Sequence, residues 1–464
     1  MPPPGRACTD RTVVFDDDPT GTQTVSDVDV LLRPTRRRLA AFLAGDEPAL
    51  YVLTNTRALS RSKAVALVRS LHAVVQSEAA RLGRRVSVVL RGDSTLRGHV
   101  FAEIDAIAAP DSVTLFVPAF PEGGRVTRHG VHFLIEHGRS RPVNETEFAR
   151  DPVFGYQSRT LVDWVQEMGG RHAVSISLDA LRETSGEAVS GALRSSPPRT
   201  VVVPDAESTD DLRLTLQGLQ TAEDNGARVV VRAASSFAAL RAGLQARALS
   251  TVVVPWPGRV LIVCGSHTEA SRRQLESLAK AGVGILELPT AVAMAHDPSL
   301  ALLALVERAR DGLDADGVIV VASERTRHAA HIDLLAGARV MNALVSIVVR
   351  LRGRFDGLVA KGGITSADIA SRGVGVPSAR VLGQVRPGVP VWRMRSGSTT
   401  LPYVVVPGNV GADNTLVKVL AALGVEMPKG PRRFWATNSR STMRSGHGSR
   451  PVGRATNGDE GEGP

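Results

Sequence analysis

Short apolar runs rich in β-branched residues recur along the chain, each followed by a polar turn and then by a stretch whose apolar positions repeat every three or four residues. That alternation belongs to strands feeding crossover helices, and so to mostly parallel sheets. In the first half it predicts strands over 12–15, 50–53, 86–90, 113–117, 200–203 and 229–231, with helices over 60–82 and 208–219. In the second half it predicts strands over 259–263, 318–321, 357–360, 389–393 and 403–406, with helices near 269–281, 300–309, 328–349 and 412–422. The expectation is an α/β protein of two domains, each a mostly parallel sheet with flanking helices. A disordered leader over 1–10 precedes an N-terminal domain over 11–235, a linker region over 236–258, a C-terminal domain over 259–426 and a disordered basic tail over 427–464. The prolines of TVVVPWPG, around Pro257, mark the expected hinge.

Composition narrows the class. At 464 residues the chain exceeds what one hydrophobic core serves, and 43% hydrophobic with 22% charged residues is ordinary for a globular protein. No apolar stretch is long enough to span a bilayer and MPPPGRACTDR is no signal peptide, so a cytoplasmic protein without a membrane partner is expected. Cys8 and Cys264 are too isolated for a disulfide framework or a cysteine zinc site. The net charge of +10 is nearly half accounted for by the tail, and no nucleic-acid-binding motif accompanies it. An acidic small-molecule substrate suits the mild basicity of the body.

Ligands of parallel sheets bind beyond the carboxyl ends of strands, so polar residues just after an apolar run are the candidates. In VVFDDDPTGTQ, Asp16, Asp17 and Asp18 leave a strand together, which is tolerable if a cation, an arginine or a substrate hydroxyl offsets their repulsion; the alternative is a solvated acidic turn. VLTNTRALS places Asn55 and Arg57 at another strand end, and VVLRGDSTLRGHV offers Arg91, Asp93, Ser94, Thr95 and Arg97. Arginines that grip a carboxylate, a carboxylate that accepts a hydroxyl proton, and hydroxyls between them suit a polyhydroxy acid; an internal ion pair with a helix cap is the alternative. FVPAFPEGGRVTRHGVHFL adds Arg125 and Arg128 as further binders of a substrate anion. His129, His132 and His137 do not form a convincing metal set, because His129 and His132 would lie on opposite faces of a strand. In the second half, Gly265, Ser266 and Thr268, then Lys361, Gly362, Gly363, Thr365 and Ser366, then Gly408, Asn409 and Gly411 form three small-residue turns fit to receive phosphates. Lys361 is one of five lysines in the chain. A P-loop and a G-x-G-x-x-G fingerprint are both missing, so a nucleotide site would be assembled from these dispersed turns.

Taken in order, DDDPTGT, TNTRAL, DSTLRG, PAFPEGGRVTRHGVHF, the Gly265 turn, KGGITS and PGVPVW resemble the four-carbon acid sugar kinase family from about Thr12 to about Leu423. The resemblance implies a sugar-acid site in the N-terminal domain, with Asp17, Arg57, Asp93, Ser94, Thr95 and Arg97 on the sugar-side motifs, and Asp18 beside them. It implies ATP with magnesium in the C-terminal domain, with Ser266, Gly362, Gly363, Thr365 and Gly408 on the nucleotide-side motifs, joined by Lys361 and Asn409. GNVG in the closing turn, where many members have Gly-Gly-Phe-Gly, and Pro19, where many have Leu, mark a distinct subgroup. The implied reaction is transfer of the ATP γ-phosphate to a hydroxyl of a tetronate or 3-oxo-tetronate, with Asp93 or Asp17 as proton acceptor and no metal ligand assigned. The rivals are a phosphatase using Asp16 and Asp18 as a D-x-D-x-T pair and a non-enzymatic sugar-acid sensor. The sequence leaves the oligomeric state open, with a homodimer as the candidate assembly.

Overall fold

Every apolar run read from the sequence is a strand in the computed structural model, which describes residues 10–136, 138–245, 247–249, 258–325, 334–396, 399–408 and 410–428. Most of the expected leader and tail, and the hinge around Pro257, lie outside the described residues. The front half contains β1 (Asp10–Asp16), β2 (Val28–Leu31), β3 (Ala49–Leu53), β4 (Arg85–Arg91), β5 (Val113–Val117), β6 (Arg125–Arg128), β7 (Val131–Glu136), β8 (Arg139–Pro142), β9 (Ala173–Ile176), β10 (Val201–Pro204) and β11 (Val229–Ala233). The back half contains β12 (Val260–Cys264), β13 (Gly284–Leu288), β14 (Val318–Ser323), β15 (Gly357–Lys361), β16 (Ser378–Arg386), β17 (Val389–Ser396) and β18 (Thr399–Val406).

The front strands pair in parallel in the order β2-β3-β1-β4-β11-β5-β10-β9, and the back strands in the order β13-β14-β12-β15-β18, again parallel. The antiparallel hairpin of β17 and β16 then brings the back half to β2, where Ala379 pairs with Val30 and Val381 with Val28. The two halves therefore share one sheet of 15 strands. β6, β7 and β8 form a separate antiparallel sheet.

Fully buried strands read as continuous apolar runs because both faces are covered. One apolar layer crosses the seam, from Val14, Tyr51 and Phe237 in front to Trp392, Tyr403 and Leu344 behind. The opposite face divides into a front cluster around Phe15, Phe116 and Trp164 and a back cluster around Ile262, Val404 and Leu420. The segment expected to begin the linker starts inside a helix, Ser235–Arg241, whose Phe237 and Ala238 are fully buried in the shared layer. The turn Pro19–Thr24 carries the chain from β1 to the seam, where the Trp392 indole N–H donates to the Thr22 hydroxyl at 3.0 Å.

Candidate active site

β1 delivers three adjacent carboxylates to a dry place: Asp16, Asp17 and Asp18 are each 1% exposed. Such a group needs a counter-cation, and β4 supplies it. Arg91, in register with Asp16, directs Nη1 to Asp16 Oδ1 at 3.1 Å, Asp17 Oδ1 at 3.2 Å and Asp18 Oδ1 at 3.2 Å, while its Nη2 donates to the Thr20 hydroxyl at 3.1 Å. Of the three offsets the sequence allowed, the fold itself supplies an arginine. Burial nevertheless pushes Asp16 up to about 7 against the pull of Arg91.

Arg57, just beyond β3, ties this group to the next. Its Nε lies 3.5 Å from Asp17 Oδ2, its Nη2 pairs with Asp18, and its Nη1 lies 3.5 Å from Asp93 Oδ2. Asp93 also accepts from Arg97 Nε at 2.8 Å and from the Thr95 hydroxyl. Burial opposes its charge, but Arg97, Arg57 and Thr95 outweigh it and hold Asp93 well below the usual carboxylate range. A carboxylate so stabilised is a weak proton acceptor and a firm holder of arginines.

The remaining sugar-side candidates divide. Arg125 is buried within electrostatic reach of Asp93 and Arg97, and burial lowers its pKa. The Ser94 carbonyl accepts from His132 Nε2 at 2.8 Å, while His132 Nδ1 faces the Thr127 hydroxyl at 2.9 Å. Burial pushes His132 down to about 4, so it stays neutral and braces the Ser94 turn. His129 sits in the turn before β7 with φ 50°, and His137 lies outside the described residues. Arg128 departs from expectation: it is exposed, paired with Glu207 and set over the Phe133 ring, away from the carboxylate cluster.

Sequence reading missed Arg232, 1% exposed on β11, which pairs with Glu103 and lies 3.6 Å from Asp17 Oδ2. The signal was available, since a lone arginine inside VVVRA must find a buried acid. Asp17 Oδ2, flanked by Arg57 and Arg232 without a hydrogen bond, is left with an open acceptor site.

In the back half, the turns after β12, β15 and β18 converge. Gly362 has φ 111°, and a Cβ there would stand 3.0 Å from Ser266 Cβ and 3.1 Å from Thr365 Oγ1. The Thr268 hydroxyl caps the helix Glu269–Lys280 and donates to the Gly408 carbonyl at 2.7 Å. Arg325, also missed, donates to the Ser266 carbonyl at 2.6 Å. Lys361 is buried behind this cradle: its ammonium donates to the Pro407 carbonyl at 2.6 Å and reaches that of Gly408 at 3.4 Å. Burial lowers its pKa to about 8. From there it braces the last turn through the Pro407 and Gly408 carbonyls. Asn409 lies outside the described residues.

The two sets meet. Gly363 is so close to the front half that a Cβ would collide with the Asp18 carboxylate and come within 3.0 Å of Arg57 Nη2. Nearby, Asn55 Nδ2 donates to Asp368 Oδ1 at 3.3 Å across the same junction. A cleft of about 510 Å³ opens there, with Arg57 and Arg97 on one wall and Gly265, Thr365 and Asp368 on the other. That volume is typical of small-molecule sites.

An arginine and carboxylate cluster in the front half, set against three small-residue turns in the back half, has the chemistry to hold two ligands, an organic anion and a phosphate. Residues 12–241 match a sugar-binding N-terminal domain, and residues 261–416 match a nucleotide-binding C-terminal domain. The chain belongs to the four-carbon acid sugar kinase family. It is 30% identical over 384 residues to a D-threonate kinase of Bordetella bronchiseptica, covering 81% of this chain and 86% of that protein. A 3-oxo-tetronate kinase of Methylobacterium radiotolerans is 29% identical over 344 residues, covering 69% of this chain and 76% of the relative. A crystal structure of a Haemophilus influenzae protein shares the fold, with TM-score 0.57 at 16% identity over 89% of this chain and 100% of that one.

Proposed function

We propose that the protein is an ATP-dependent kinase acting on a hydroxyl of a four-carbon sugar acid, with the front half, to Arg241, holding the acid and the back half, from Val260, holding ATP. The observation that carries this reading is the contact of Gly363 with Asp18 and Arg57, which brings the phosphate cradle against the acid-binding cluster. The names of the relatives, D-threonate kinase and 3-oxo-tetronate kinase, support the substrate class.

Arg97 and Arg57 grip the carboxylate of the acid, and Asp93 holds both guanidinium groups in posture. Asp17 receives the hydroxyl proton through Oδ2, the carboxylate oxygen that has no hydrogen-bond partner. The turns at Ser266, Gly362 and Gly408 receive the phosphate chain. Magnesium would be held by the ATP phosphates with the hard oxygens of Thr365 and Asp368, which line the cleft, and would supply neutralisation of phosphate charge. The D-x-D-x-T phosphatase reading is the weaker one, because Asp16, its nucleophile, is held by Arg91 at 3.1 Å, and Asp18, its general acid, is paired with both Arg91 and Arg57. A sensor without turnover would not need the two ligand sets in contact. No helix among the described residues is long and apolar enough to cross a membrane, and the proposal assigns the enzyme to the cytoplasm. Sedimentation decides between monomer and homodimer.

The test is ADP release with magnesium and ATP against threonate, erythronate and 3-oxo-tetronate. Asp17→Asn is expected to lower kcat by about 10² to 10⁴, whereas Asp93→Asn chiefly raises KM for the acid. Turnover on none of the acids would overturn the activity; full turnover by Asp17→Asn would overturn the assigned base.

A further inference from the structure

One short stretch of the front half touches both ends of a helix in the back half. Asn55 precedes the turn Thr56–Ala58, within which Arg57 stands. Opposite lies the helix Gly363–Asp368, preceded by Gly362 and with Thr365 on the cleft wall. Its first residue, Gly363, abuts the Asp18 carboxylate and the Arg57 guanidinium. Its last residue, Asp368, accepts a hydrogen bond through Oδ1 from Asn55 Nδ2 at 3.3 Å. The other carboxylate oxygen of Asp368 lies 3.5 Å from Arg372 Nη1.

Two features of Asn55 go beyond what a turn requires. Its backbone lies in the left-handed region, with φ 49° and ψ 35°, which asparagine tolerates better than most residues other than glycine. Its side chain makes no capping hydrogen bond to the turn it precedes, and its Oδ1 is buried without a hydrogen-bond partner among the described residues. A buried amide oxygen left unpaired is destabilising, so the side chain is held for what its nitrogen does. That nitrogen faces a carboxylate, which accepts when ionised, so the amide orientation follows from the chemistry. Abutment at Gly363 resists closer approach of the halves but does not hold them together. A hydrogen bond to a carboxylate resists their separation.

We propose that Asn55 is a positioning residue that couples the two ligand sites. An acid on Arg57 fixes the turn Thr56–Ala58. Through Asn55 the fixed turn holds Asp368, and with it the helix that presents Thr365 and Gly362 to the nucleotide. Each ligand then tightens the other by the same factor, as linkage requires. The proposal rests on the kinase reading above and deepens it: acid and ATP bind with positive cooperativity, and one side chain carries it.

The experiment is calorimetric binding to the full chain of magnesium with adenylyl imidodiphosphate, an ATP analogue that withholds its terminal phosphate. It is run alone and with saturating threonate, erythronate or 3-oxo-tetronate. In the wild type one of these acids is expected to tighten the analogue about tenfold, and the analogue to tighten that acid equally. Asn55→Gly keeps the left-handed backbone, and Asn55→Asp keeps the size while exchanging the donor for a second carboxylate. Both are expected to bring the coupling down to about twofold or less, with each ligand alone bound by Asn55→Gly nearly as in the wild type. Asp368 is left unchanged, because it also has a share in the proposed magnesium site. Arg33→Ala is the control: Arg33 donates from Nε at 3.0 Å and Nη2 at 2.6 Å to the Ser371 carbonyl, which joins the halves just past the same helix. Its loss should leave the coupling intact. Coupling that survives in both Asn55 variants, that is absent from the wild type, or that is lost equally in Arg33→Ala overturns the proposal and leaves the kinase reading standing. If the wild type fails to bind the analogue or any of the acids, the kinase reading falls and the coupling falls with it.

Discussion

Replacing Gly363 with alanine probes the contact on which the proposed site for phosphate transfer depends. Gly363 opens the helix Gly363–Asp368, and its φ is not in the left-handed region, so alanine brings no backbone strain. On helix propensity alone the change would stabilise by up to about 1 kcal/mol. The new methyl group, however, would collide with the Asp18 carboxylate and stand 3.0 Å from Arg57 Nη2. Neither group has freedom to yield, because Asp18 is 1% exposed and bonded to Arg91, and Arg57 is paired with three carboxylates. Overpacking of this kind costs about 1 to 3 kcal/mol, which exceeds the propensity gain. A displacement of Arg57 by about 1 Å is enough to lower turnover about 10²-fold. We therefore expect Gly363→Ala to melt lower than the wild type and to lose about two orders of magnitude in kcat/KM for the sugar acid, with ATP binding by calorimetry much less affected. A variant that melts higher and turns over normally would refute the claim that the two halves touch at this point.

Two buried groups should leave opposite marks on the pH dependence of stability, measured as urea midpoints from pH 4 to pH 8. Asp16 titrates near 7 in the fold and near 3.8 when unfolded, so its contribution is full below about 4 and is lost as pH rises through 7; Asp16→Asn should flatten that fall. His132 titrates near 4 in the fold and near 6.5 when unfolded, so its contribution is full above 6.5 and is lost toward pH 4, by about 3 kcal/mol at most; His132→Gln should remove that acid-side loss. Unaltered slopes in both variants would count against both assignments. Lys361→Met removes the donor that braces the Pro407 and Gly408 carbonyls, so KM for ATP should rise several-fold with KM for the acid nearly unchanged; equal rises in both would mean a general loss of structure.

The sequence was most readable where physics is local. A run such as VLIVC can only be a strand buried on both faces, and TEASRRQ after it carries its own cap in Thr268. β2, only four residues long, and β9, with Ser175 exposed, gave weaker signals, and β16 alternates with too many polar positions to stand out. Their status is set by partners far along the chain, as when Val30 on β2 finds Ala379 on β16. The same distinction divides the site. Asp93, Arg97 and Thr95 interact within one turn and were visible as a motif, whereas Arg232 and Arg325 acquire meaning only from neighbours that folding brings to them. Arg128 and Lys361, read as ligand contacts from their nearness to motifs, have partners in the fold that the sequence did not announce: Glu207 for the first and two backbone carbonyls for the second.

The pairing of β2 with β16 has an outcome for anyone who would divide this protein. Cut between its halves, the chain would offer two raw strand borders, each lined with amide and carbonyl groups deprived of their mates, and an oily surface around Trp392 and Tyr403 stripped of its cover. Fragments of that sort seek each other or clump, so the halves are better regarded as one cooperative object than as detachable parts.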